Sequence, residues 1–239
     1  MTTTPRRALA AVAALAVAGA ALAGCARIPA SGPRVTEEHA VSDEVHALRL
    51  ENSGDVVVEL GDEPGLTVRA PRATMDRLTV EEEGGTLVLG IRGSGAWSGR
   101  VDYTLTVRSF DELEIEGSGD VRADFSKADA VTIEIDGSGD VKAENIDAEG
   151  VVVEIEGSGD VRLSGRADRG EYRIEGSGDI RAEGLEVRDV EAHVAGSGDI
   201  RVHATDTADA RIDGSGTVVI TGPARVTQEV NGSGDVVTD

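Results

Sequence analysis

The chain has 239 residues, a formal net charge of −22 and 39% hydrophobic side chains, so it carries enough apolar material to bury a core. It lacks the basic face that neutralising phosphates requires, and nucleic acid is excluded as a partner. Aromatic residues make up 2% against 31 glycines, a balance that suits many short strands and tight turns. The 45 acidic residues alternate with Val and Ile instead of gathering into a tail, the pattern of a solvated β surface. His39, His46, His193 and His203 are scattered.

At the start, Arg6 and Arg7 precede an uncharged Ala/Leu/Val run over residues 8–23, matching the basic and apolar regions of a secretory signal. The run is short for a membrane span and ends at the sole cysteine. Leu22, Ala23, Gly24 and Cys25 resemble the lipobox of bacterial lipoproteins, which implies cleavage before Cys25 and its acylation. Two or three acyl chains, at about 0.8 kcal/mol per buried methylene, hold a protein stably on a membrane. With Cys25 acylated no thiol remains for a disulfide or a Cys-ligated metal. Residues 1–24 thus read as signal peptide. Residues 25–43, with Pro29, Ser31, Gly32, Pro33, Glu37 and Glu38, read as a flexible tether.

Residues 44–110 read as a strand-rich N-terminal part, antiparallel or coiled, with turns at 61–65 and at Gly84-Gly85. Trp97, in the glycine-rich stretch 93–99, reads as packing back on the sheet, with sugar stacking as the alternative. From residue 111 to 239 the phrase Gly-Ser-Gly-Asp governs the chain. It starts at Gly117, Gly137, Gly157, Gly176, Gly196 and Gly232, with a variant from Gly214 ending in Thr217. Spacings of 18 to 20 residues mark a solenoid. A fainter copy, Asn52-Ser53-Gly54-Asp55, lies upstream.

Alignment of the copies places Val121, Val141, Val161, Ile180, Ile200, Val218 and Val236 in one column. Ile115, Ile135, Ile155, Ile174, Val194, Ile212 and Val230 form a second. Period-two alternation puts both inside a coil. Each coil then has one strand before the corner and one after it, stacking in parallel at about 4.8 Å. The repeated corner residues are Gly117, Gly119 and Asp120; Gly137, Gly139 and Asp140; Gly157, Gly159 and Asp160; Gly176, Gly178 and Asp179; Gly196, Gly198 and Asp199.

Outside, Asp120, Asp140, Asp160, Asp179 and Asp199 are each followed two residues later by Arg122, Lys142, Arg162, Arg181 and Arg201. Acidic and basic ladders are expected side by side, the second offsetting repulsion within the first. Calcium on the Asp column is the alternative. Calcium-binding rolls repeat every nine residues, whereas these Asp residues recur every 19 or 20 with an internal counter-ion, so no metal site and no cofactor is assigned.

With the repeats laid out, the region from Val45 to Asp239 resembles the auto-transporter adhesin head domain family, also called the head GIN domain. The resemblance rests on the Val45-x-Ala47-Leu48-x-Leu50 strand, Leu87-Val88-Leu89, the step into Leu113-Glu114-Ile115 and the serial Gly-Ser-Gly-Asp-Val phrases. It implies an all-β, right-handed parallel β-helix-like solenoid in an exported bacterial protein, adhesive and without catalytic residues. A β-helix enzyme acting on carbohydrate is the runner-up. It needs convergent acids on irregular loops, whereas Glu114/Glu116, Glu134/Asp136 and Glu154/Glu156 recur coil after coil. Serine-triad, zinc and phosphate-loop patterns are missing. The sequence therefore reads as a lipid-anchored envelope protein facing outside the cytoplasm, its partners the membrane and a glycan or surface protein. Sensing of envelope state for a membrane partner is a third reading.

Overall fold

The computed structural model describes residues 32–93 and 99–239. The lipobox positions Leu22, Ala23, Gly24 and Cys25, and also Trp97, lie outside the described residues. The elements are β1 (Arg34–Ala40), β2 (Ala47–Leu50), β3 (Asp55–Leu60), β4 (Gly65–Pro71), helix α1 (Arg72–Met75), β5 (Leu78–Glu83), β6 (Thr86–Ile91) and β7 (Asp102–Val107). There follow β8 (Glu112–Ile115), β9 (Val121–Asp124), β10 (Ala130–Ile135), β11 (Val141–Ile155), β12 (Val161–Ile174), β13 (Ile180–Val194), β14 (Ile200–Ile212), β15 (Thr217–Thr221), β16 (Arg225–Val230) and β17 (Asp235–Thr238).

These strands form a parallel β-solenoid with coils of about 20 residues, as the repeat period requires. One ladder, before the glycine corner, runs β6, β2, β8, β10 and on through β11, β12, β13 and β14 to β16. The other, after the corner, runs β7, β3, β9, then β11 through β15 to β17. Strands β11 to β14 are long because each passes unbroken through the second corner. There the register shifts between Ala143 and Ile146, with Asn145 at φ 59° and Gly165 of the next coil at φ 132°.

The faint Asn52-Ser53-Gly54-Asp55 phrase is a full corner joining β2 to β3, in register with Gly117 to Asp120. Its coil is out of sequence order. It lies between the outermost coil, β6 and β7, and the one formed by β8 and β9. The intervening β4 pairs antiparallel with β7, and β5 with β6, extending both ladders beyond the β6–β7 coil. Gly84 and Gly85, at φ 59° and 94°, make the tight β5–β6 turn expected at that pair.

Residues 34–40, inside the stretch read as tether, are instead strand β1, paired with β4 from Arg34↔Pro71 to Ala40↔Gly65. The polar, proline-containing composition hid the alternation. Val35, Glu37 and His39 turn half-buried against β4 while their neighbours face solvent. The strand begins just past Pro33, which withholds a backbone donor.

Both aliphatic columns lie inside. Ile115, Ile135, Ile155, Ile174, Val194 and Ile212 are all 0% exposed, and Val121 through Val218 no more than 2%. Each contributes about 1.5–3 kcal/mol on burial. Val230 in the last coil, with no coil beyond it, is 40% exposed. A further inner column runs through Val131, Val151, Gly170, Val190 and Ala208. In it Gly170 leaves a gap that the buried Tyr172 ring fills from two residues away.

Candidate binding surface

At the corner the backbones of successive coils stack directly. The Ser138 N–H donates to the Gly117 carbonyl at 3.0 Å, and the same bond recurs from Ser158 to Gly137 and from Ser177 to Gly157. A Cβ on Gly137 would stand 1.8 Å from the Gly117 oxygen, and one on Gly139 2.1 Å from that of Gly119. These glycines do not have positive φ. They are required because a carbonyl of the coil below occupies the place of a side chain.

From Asp120 to Asp199 each Asp of the phrase bonds forward to the next coil. The carboxylate of Asp120 accepts the N–H of Asp140 at 3.1 Å, Asp140 that of Asp160 at 2.9 Å, Asp160 that of Asp179 at 3.1 Å and Asp179 that of Asp199 at 3.0 Å. The basic column stands beside it, also in register. Arg181 reaches both Asp160 and Asp179 at 2.7 Å, and Arg201 meets Asp199 at 3.0 Å. Burial works to raise the Asp160 pKa. The Arg181 hydrogen bond, the Asp179 N–H and the charges of Arg181 and Arg162 outweigh it and hold the carboxyl below its ordinary value. Hydrogen bonds from Arg122 and Lys142 bring Glu144 down to about 2.

With one oxygen of each Asp committed to the next coil and basic groups on the other at Asp160, Asp179 and Asp199, the column is a structural ladder. The calcium alternative would have to displace those bonds. Among the described residues no group of three His, Cys, Asp or Glu converges on a metal position.

The opposite ladder is acidic on its outer side. Glu114, Glu134 and Glu154 stack between Arg49 and Arg173. Desolvation, then the charges of Glu114 and Glu154, raises the Glu134 carboxyl. Farther along the same column, Arg173 donates to His193 Nδ1 at 3.0 Å and His193 Nε2–H donates to Asp213 at 3.0 Å. His193 is thereby a link in a surface chain from Arg173 to Asp213. A shallow groove of about 420 Å³ lies over Gly150, Val152 and Gly170 on this side, rimmed by Glu171, Glu191 and Thr207.

Sequence reasoning missed two features. Asn52 is buried, donating to the Leu89 and Gly90 carbonyls and to the Tyr103 hydroxyl while accepting the Gly54 N–H. Its side chain ties the β2–β3 corner to both strands of the outermost coil, β6 through Leu89 and Gly90 and β7 through Tyr103. The departure from Gly to Asn in the faint phrase was the available signal. The second is a cleft of about 410 Å³ between β1, β4, α1, β5 and β6, which no repeat foretells because it forms where the chain leaves the coil pattern.

No curated protein matches the sequence closely enough to compare. Solved structures do match the fold. A "putative adhesin" from Bacteroides fragilis shares 24% identity at TM-score 0.80, over 88% of this chain and 99% of its own. A "putative lipid binding protein" from Parabacteroides distasonis shares 25% at TM-score 0.72, over 87% and 97%. A "putative adhesin" from Parabacteroides merdae shares 20% at TM-score 0.66, over 87% and 97%. The family described as "Putative auto-transporter adhesin, head GIN domain" matches residues 45–224, from the strand entering the displaced first coil to the approach of the last one, and the chain belongs to that family.

Proposed function

We propose that this is a lipid-anchored protein of the bacterial envelope, exported and facing outside the cytoplasm, whose acidic β-solenoid is a non-catalytic binding module. The observation that carries the binding reading is the uniformity of the coils. From β8 to β14 the outward acidic columns repeat with the chain passing straight from coil to coil, and the departure at the Arg173–His193–Asp213 chain brings no pair of acids together, so among the described residues these coils hold their acids in a repeated array. An enzyme needs one such coil, with acids held at reacting distance. A binding module needs an extended, regular face, and here two are offered, one acidic and one with paired Asp and basic ladders. Membership of the adhesin head family supports the same reading.

The anchor reading rests on the lipobox match at Leu22 to Cys25 and on the apolar run before it. Among the described residues no helix is long and apolar enough to cross a membrane. The ligand class proposed is a glycan or a surface protein.

The test is binding of the full chain to arrays of glycans, peptidoglycan and matrix proteins, with and without calcium, with a turnover assay on each hit. Binding without turnover is expected. Turnover of any polysaccharide overturns the non-catalytic assignment, and intact mass of the protein from its host reads acylation of Cys25.

A further inference from the structure

The cleft at the capped end of the solenoid differs in kind from the repeated faces. Its floor is apolar: Val68, Met75 and Leu78 are buried and Val80 half-buried. Its rim holds His39, Asp76, Glu81 and Arg92, and none of these four side chains has a hydrogen-bond or ion partner among the described residues. That is unlike the coils, where the basic column is matched to carboxylates bond by bond. At about 410 Å³ the cleft falls in the range of sites for small ligands. An apolar floor beneath unpaired charges of both signs suits an amphiphile whose head carries both signs.

We infer that this cleft holds one zwitterionic phospholipid, its phosphate on Arg92, its ammonium group between Asp76 and Glu81, and the first methylenes of a chain on Met75 and Leu78. Two further considerations select a lipid over other zwitterions. A bare headgroup would make the rim contacts alone, whereas a lipid adds the burial of its first methylenes against Met75, Leu78 and Val80. The proposed anchor Cys25 stands nine residues before Arg34, the start of β1 on the cleft wall, a span of no more than about 30 Å of extended chain. A purely anionic amphiphile is disfavoured by the acidic rim and by the net charge of −22. The assignment rests on the membrane-anchored reading for its source of lipid, and on the geometry of the cleft for its site.

The experiment mixes the full chain with nanodiscs that carry a photoactivatable phosphatidylethanolamine, or the same group on phosphatidylglycerol, and maps the crosslinks by mass spectrometry. The expected result is label concentrated on residues 73–92 from the zwitterionic lipid, and about tenfold less from the anionic one. In Arg92→Gln and Glu81→Gln, both exposed and outside the core, the label should fall by a similar factor. Label spread evenly over the surface, equal label from both lipids, or unchanged label in the two variants overturns the proposal, as does full competition by free phosphoethanolamine. Intact mass on the same sample separates the two readings. An acylated but unlabelled protein removes the cleft assignment alone, whereas a labelled cleft on a protein with unmodified Cys25 sustains it and removes the anchor.

Discussion

Replacing Asp160 tests whether the Asp column acts through its hydrogen bonds or through its charge. In Asp160→Ala the Asp179 N–H loses the acceptor that stands 3.1 Å away, and Arg181 loses one of its two carboxylates. A buried donor left unpaired costs about 1–3 kcal/mol, and Asp179 is half-buried, so the lower half of that range applies. The part-buried Arg181–Asp160 pair, still reached by solvent, adds about 1 kcal/mol or less. The sum is about 2 kcal/mol. Asp160→Asn keeps an oxygen for the Asp179 N–H and loses only the charge, about 0.5 kcal/mol. For a domain of this size each kcal/mol moves Tm by about 2–4 °C. Thermal melts followed by far-ultraviolet circular dichroism should therefore place the Ala variant about 4–8 °C below the parent and the Asn variant about 1–2 °C below it. Equal losses in the two variants would refute the forward hydrogen bond as the role of the column and return it to charge pairing.

Gly157→Ala, whose Cβ would lie 1.9 Å from the Gly137 oxygen, should cost more than about 3 kcal/mol in urea titrations, whereas Gly150→Ala, with nothing within 4 Å, should be neutral or stabilising by about 0.5 kcal/mol. Tyr172→Phe removes a buried hydroxyl that has no partner among the described residues, so stability should rise by about 1 kcal/mol and Tm with it, and a fall would indicate a bonded water. The Asp160 carboxyl is held below 3.8, so the stability it gains from Arg181 is fully present above that pH and is lost as pH falls through the lower folded value. The Tm difference between the parent and Arg181→Gln should thus be constant above about pH 5 and shrink as pH falls below 3.8, and a difference that does not shrink with falling pH would contradict the assignment.

The periodic part of the fold was legible because identical coils leave identical marks. An aliphatic residue directly after Asp and another before each glycine, spaced at 18 to 20 residues, permit one stacking register, since a slip by one would turn Val141 and Ile155 outward together. What the sequence did not disclose lies where repetition stops. The placement of the β2–β3 coil beneath β6 and β7 depends on which edges are free when the chain returns, and β2 meets β8 across 65 residues, as Ala47↔Glu112 shows. β1 carries a strand alternation within a polar composition, and its pairing with β4 decides its structure. The capped-end cleft draws on β1, α1, β5 and the β6 end, segments with no common motif.

The end of the ladder shows that its two columns are one device. At the coil of β15 the Asp is replaced by Thr217, and two residues on the basic side chain is replaced by Val219. Thr217 still donates its N–H to Asp199 at 2.9 Å, so the ladder closes correctly from below. Above it no carboxylate is available, and the Asp235 N–H turns to the Gly216 carbonyl at 3.3 Å. Val237 follows Asp235 in the same way. At the opposite end Asp55 also lacks a basic residue two positions on, where Val57 stands 38% exposed, but Arg100 reaches Asp55 at 3.0 Å from across the outermost coil. Thus the basic residue accompanies a stacked carboxylate wherever the ladder continues on both sides, either from within the coil or from the neighbouring one. It disappears where the stack is interrupted. If the Arg column served chiefly to attract an outside ligand, its run would have no reason to stop with the carboxylates. Its extent argues that these cations offset the acidic charge of the face, Arg162, Arg181 and Arg201 on the Asp stack itself and Arg122 and Lys142 on the neighbouring Glu144, and that recognition by this face rests on the paired array as a whole.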